Sequence, residues 1–175
     1  MLEAAPYGLK ALSVRQPWAY AIVYLGKPLE NRTLASIRRM SFAAGDRIAI
    51  HAAKGMTRDK YDDAAGFMRQ VIGVACPPAI ELARGGIIGT ARIEGIVKKS
   101  ASPWFFGPRA FVLADPQPCE FIPVVGQLGL FDWEPAAPAI IPPPARWMLA
   151  GRESKQAKAQ GALDFDDRPK GVIRP

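Results

Sequence analysis

Lys27, Glu30 and Arg32 sit close enough in the segment KPLENR to act together on a ligand. Alternation in an extended segment places Glu30 and Arg32 on one face and Asn31 on the other. Lys27 stands at the exit of a predicted helix. Three charges so near a helix end are costly unless they pair with one another or meet a ligand. Arg32 can hold a phosphate or a carboxylate through two parallel hydrogen bonds. Lys27 can contact phosphate or, if desolvated, accept a proton. Spacing alone favours a plainer reading, a Lys–Glu–Arg network that pins the helix to the sheet.

Other residues could serve a ligand from strand ends and loops. Arg15 and Gln16 fall where a strand ends, and Gln16 can either read a base edge or fix the turn. Trp18 lies on the apolar stripe of the following helix, which suits a core role. His51 is the only histidine, and a lone histidine is more often structural than catalytic. Lys54 follows it at a strand end and is the better nucleic-acid candidate. The segment VKKSASPWFFGPR brings Lys98, Lys99, Trp104, Phe105, Phe106 and Arg109 together. Basic residues for a backbone and flat rings for bases are what a single-stranded nucleic-acid platform requires, although the rings are equally ordinary core material. Glu94 lies between Ile93 and Ile96 and would matter if it faced inward.

These residues need elements to hold them. Lys10 to Val14 reads as a strand and Pro17 to Leu25 as a helix, with proline at its start and Gly26 as a left-handed cap. Pro28 to Thr33 is expected to be extended and residues 34–45 to be a loop. Arg47 to His51 alternates as a strand with Ile48 and Ile50 inward. Thr57 caps a second helix over Arg58–Ala75, its apolar face formed by Tyr61, Ala64, Ala65, Met68, Val71, Ile72 and Ala75, and Pro77-Pro78 ends it. GIIGTARIEGIV is a long β segment whose Gly89 and Gly95 mark bulges or bends. Arg109–Ala114 and Cys119–Val125 read as short strands separated by an Asp115-Pro116 turn. The pattern predicts an α+β, mainly β fold: a small mixed β-barrel with two or three flanking helices.

The 175 residues fit one compact domain and an appendage. Residues 1–134 form the predicted domain, and 135–175 a proline-rich linker and basic tail with weak helical potential around Glu153–Gln160. The net charge of +7 suits a polyanionic partner. Residues 146–175 carry +3 of it, a disproportionate share. Cys76 and Cys119 belong to no metal-binding pattern, so two buried reduced thiols are expected, with no metal and no cofactor. No stretch is long and apolar enough to cross a membrane and no export signal is visible, which makes the cytoplasm the default compartment.

The stretch SVRQPWAYAIVYLGKPLENR resembles the opening of ASCH domains, a branch of the PUA-like superfamily, whose pattern is SxRQPWAxxI followed by GxKxxExR. IAIHAAK, GGIIGTARIEGIV and VVGQLGLFDW are similar to later segments of that family, so the resemblance spans roughly residues 10–133. One departure is visible: the family glycine lies two residues before the lysine, where this chain has Leu25, and Gly26 directly precedes Lys27. The resemblance implies a PUA-like barrel and shifts the weight towards a pocket built around Lys27, Glu30 and Arg32.

It also implies three functions. The first is binding of RNA or a modified nucleoside without a chemical step, through Arg15, Gln16, Lys27, Arg32, Lys54, Lys98, Lys99, Trp104 and Arg109. The second is hydrolysis. Single-strand ribonuclease chemistry would use Lys27 and Glu30 as an acid–base pair. An N4-acetylcytidine amidohydrolase would instead need a threonine where this chain has Glu30, with Glu94 as its later-strand carboxylate. Thr33 is close, but alternation turns it to the opposite face. The third is a protein-interaction module in transcription or translation machinery, with the C-terminal tail contacting a protein partner.

Overall fold

The computed structural model describes residues 6–149. The chain divides into two units, Met1–Pro143 and Pro144–Pro175. Of the second unit only residues 144–149 are described, with a helical stretch starting at residue 146. The expected helix at 153–160 and most of the basic tail lie outside the described residues.

The first unit is built on a six-stranded mixed sheet, curled into a half-barrel, with helices packed against it. Its elements in chain order are β1 (Ala11–Val14), α1 (Trp18–Tyr24), β2 (Leu29–Arg32), α2 (Leu34–Arg38), β3 (Arg47–Ala52), α3 (Arg58–Phe67), β4 (Gly86–Val97), β5 (Arg109–Pro123) and β6 (Leu130–Phe131). The strands run in the order β2-β5-β4-β3-β1-β6. Among the described residues β1 and β3 form the one parallel pair, and α1, β2 and α2 lie in the crossover between them. The α+β, mainly β class expected from the sequence is the one observed.

Curvature comes from β4. Its pairing shifts at Ile87/Gly89, Thr90/Arg92 and Ile93/Gly95, so two of the three irregularities fall on the glycines that the sequence singled out. Wrapped inside the curve are Leu12, Val14, Ile22, Ile48, Ile50, Ile93 and Phe111, all buried. A second apolar cluster joins α1 to α3 through Ala21, Leu29, Ala64, Met68 and Trp104.

Four expectations need correction. Residues 34–45 are not all loop, because α2 forms where the Thr33 hydroxyl accepts a hydrogen bond from the Ser36 N–H at 3.1 Å. The second helix stops at Ile72 and not at Ala75. Its last turn, Met68–Ile72, is π-helical, and Gly73 caps it at φ 82°. The wider turn moves Val71 off the apolar stripe, leaving it 57% exposed. Asp115-Pro116 does not separate two strands. β5 runs unbroken over 15 residues, with Asp115 at φ 48° absorbed as an irregularity. Ion pairs to Arg47 and Arg92 hold that carboxylate while both flanks stay bonded to β4.

Candidate functional site

The helix α1 closes as its residues predict. Gly26 adopts φ 69°, and the Lys27 N–H returns to the Ala21 carbonyl at 3.0 Å. That cap turns Lys27 inward under the helix. Its ammonium is buried and donates to the Leu29 carbonyl at 2.5 Å and to Glu30 Oε2 at 2.8 Å. It also lies 5.8 Å from the centre of the Trp18 ring. Two of its N–H protons therefore meet oxygen acceptors, and the charge lies near the face of an aromatic ring. The other Glu30 oxygen is 3.2 Å from Arg32 Nη2, which also donates to the Ser13 carbonyl at 2.7 Å. Asn31 points the other way, its amide bonded to Trp104 O and to the Phe106 N–H.

The three side chains thus converge, as their spacing foretold, but on one another. The network ties α1, β2 and β1 together, the pinning role that spacing alone favoured. One polar atom in it remains without a partner among the described residues, the buried Arg32 Nε.

An open hollow is bordered by Trp18. Its volume is about 520 Å³, and Arg15, Gln16, Trp18, Gly55, Met56, Thr57 and Lys60 line it. Arg15 leaves the end of β1 and is exposed, as is Lys60 in the first turn of α3. Gln16 contributes a wall, and both ends of its amide are already engaged. Its amide donates to the Ala83 carbonyl at 2.7 Å and accepts from the Tyr20 N–H at 3.0 Å, so it fixes the turn. Trp18 is half-buried within an aromatic group, with ring centres 6.0 Å from Phe67, 6.4 Å from Trp104 and 5.9 Å from Phe106.

The remaining candidates are dispersed. Trp104 is 5% exposed and belongs to the core, so it offers no face to a base. Phe106 is the exposed ring of that segment, at 55%. Lys98 and Lys99 are exposed beyond the end of β4, and Arg109 sits opposite Arg32 in the β2–β5 ladder. Glu94 faces outward against Arg92, whose Nε lies 2.6 Å from Glu94 Oε1, because strand alternation turns Ile93 inside and its two neighbours out. It does not join Lys27 and Glu30. Lys54 lines a separate hollow of about 330 Å³ together with Ser13, His51 and Gly126.

Lys60 is not among the candidates drawn from the sequence. The missed signal was a cation in the first turn behind a threonine cap, where the helix dipole disfavours positive charge. Phe67 was likewise hidden, because it lies off the apolar stripe drawn for α3.

His51 is held between two partners. Its Nε2 is 3.1 Å from the Val124 carbonyl, which can only accept, so this nitrogen carries the proton. Nδ1 then accepts from the Ser13 hydroxyl at 3.0 Å. Burial pushes the His51 pKa below 6.5; the Val124 contact opposes that shift and the Lys54 charge adds to it. The unfolded chain consequently binds a proton before the native state does. Stability is therefore expected to be level above pH 6.5 and to fall as the pH drops below that value. Thermal unfolding of wild type and His51→Gln between pH 5 and pH 8 checks this, with a flatter profile expected for the variant.

Cys76 and Cys119 are half-buried free thiols. Burial pushes the Cys76 thiol up to about 11, against a smaller opposing effect of its hydrogen bond to Tyr61. Among the described residues no helix is long and apolar enough to cross a membrane.

Curled mixed sheet and crossover helix together define a small α+β domain. No protein-family model and no curated protein matches the chain. Among solved structures it is similar to the ASCH protein from Zymomonas mobilis, at 24% identity over 65% of this chain and 72% of that one, with a TM-score of 0.36. A serine-to-alanine variant of that protein gives 24% identity and a TM-score of 0.35. A tyrosine-to-phenylalanine variant gives 24% and 0.36, covering 74% of its chain.

Proposed function

We propose that this domain binds single-stranded RNA, or a single nucleobase, in the hollow beside Trp18. The observation that carries the reading is the composition of that hollow, an aromatic side chain flanked by the exposed cations Arg15 and Lys60. A flat heterocycle needs a ring to lie against, and stacking of this kind contributes about 1–3 kcal/mol per base. A volume of about 520 Å³ is ample for one base and its sugar. The phosphates on either side need positive charge, which Arg15 and Lys60 supply, with the first-turn N–H groups of α3 close by. The net charge of +7 favours the same class of partner.

The buried network supports binding more than chemistry at Lys27 and Glu30. An acid–base pair must reach the substrate, and here each group is spent on the other and on main-chain or guanidinium partners. The network instead holds a positive charge 5.8 Å from the Trp18 ring that borders the hollow.

Titration with a short single-stranded RNA at several salt concentrations tests the reading. Log affinity should fall linearly with log salt. The double variant Arg15→Ala/Lys60→Ala should weaken binding and reduce the slope by about 1.4, at ~0.7 per lost single-strand phosphate contact. An unchanged slope would remove these cations from the interface.

A further inference from the structure

The second hollow has features that nucleic-acid binding does not use. We infer that Ser13 and His51 form a nucleophile–base pair acting on short-chain carboxylic esters. They face each other in register across the parallel β1–β3 pair, with Oγ and Nδ1 3.0 Å apart. A nucleophilic serine needs a neutral imidazole aimed at it and a third group that fixes the tautomer. The Val124 carbonyl is that third group, 3.1 Å from Nε2.

The ring is held from two further sides. Phe131 meets it edge-on with centres 5.8 Å apart. Gly126 packs so close that a Cβ there would lie 2.4 Å from the imidazole Cε1. An imidazole held in place in this way keeps its lone pair directed at the serine. Burial disfavours the imidazolium, so the base is free at neutral pH.

Ser13 and His51 both line the open hollow of about 330 Å³, with Lys54, Val125 and Leu128 around it. Val125 is 56% and Leu128 95% exposed, apolar surface suited to a short acyl chain. Lys54 brings positive charge to the same space.

In the reaction, Ser13 Oγ bonds to the ester carbonyl carbon while its proton moves to His51 Nδ1. The carbonyl oxygen becomes an anion facing Lys54. Collapse of the adduct breaks the bond to the alkoxide, which leaves as alcohol with the proton from His51. Water then attacks the acyl-serine, with His51 again taking and returning a proton, and releases the carboxylic acid. One ester and one water give one acid and one alcohol.

Incubation of the full chain with p-nitrophenyl acetate, and separately with a fluorophosphonate, tests the pair. Mass spectrometry should place the phosphonyl group on Ser13. Ester hydrolysis should fall about 100-fold in Ser13→Ala. Lys54→Ala, at an exposed position, should lower the rate with the fold intact. The rate of the wild type should also decline in acid, at a pH below the usual imidazole range, because burial lowers the pKa at which native His51 protonates. RNA binding in the Trp18 hollow should be unchanged in Ser13→Ala, which separates this proposal from the previous one. Absence of label on Ser13, or equal hydrolysis by wild type and Ser13→Ala, would overturn it.

Discussion

Replacing Lys27 with methionine is expected to lower the unfolding free energy by about 3–5 kcal/mol. Methionine fills much of the space but brings no charge. Glu30 would then keep only the Arg32 contact at 3.2 Å, and the Leu29 carbonyl would lose its donor at 2.5 Å. The cost arises from the carboxylate left behind in a buried setting and not from the worth of the original pair. The double variant Lys27→Met/Glu30→Gln should therefore be less destabilised than the sum of the two single changes. Urea titration measures this as a shift of the midpoint at constant slope. A loss below about 1 kcal/mol would show that the network contributes no more than an exposed pair.

Gly86→Ala is expected to destabilise by about 1–3 kcal/mol. Removing a glycine normally has the opposite sign, because the unfolded chain loses freedom. Here the added Cβ would fall 2.3 Å from the Ile122 carbonyl oxygen and 2.6 Å from the Phe121 ring. That oxygen belongs to β5, paired with β4 at Gly86↔Pro123 and Ile87↔Ile122, so the two strands would have to part. Gly66→Ala is the matched control. Gly66 sits inside α3 with nothing within 4 Å of an added Cβ, and its replacement should stabilise by about 0.5–1 kcal/mol. Thermal melts of the two variants should move in opposite directions.

The parts of the fold legible in the sequence were those with a local cause. Alternation in RIAIH marks β3, and proline with Gly26 brackets α1. Glycines mark the bends of β4. What escaped depended on a single local bond or on tertiary geometry. The five-residue helix α2 rests on one threonine cap. A π-helical turn shortened the α3 stripe, and long-range ion pairs to Asp115 kept β5 whole where Asp-Pro signals a turn.

The site divides along the same line. Spacing brought Lys27, Glu30 and Arg32 together correctly, since three residues on adjoining elements cannot be far apart. Whether they open onto a ligand depends on how Gly26 turns the chain, and that turn sends Lys27 inward. Arg15 was visible because it stands at a strand end. Lys60 reaches the same hollow from α3, more than forty residues later, and no local pattern ties the two. Trp104 and Phe106 look alike in sequence; only packing decides that the first is core and the second is exposed.

Photo-crosslinking of a single-stranded RNA carrying 4-thiouridine, followed by peptide mapping, tests the central claim most directly. The account predicts crosslinks on Trp18 and on the peptides spanning residues 15–18 and 55–60, competed away by unlabelled RNA. Crosslinks confined to residues 98–109, or to the tail beyond 143, would contradict it.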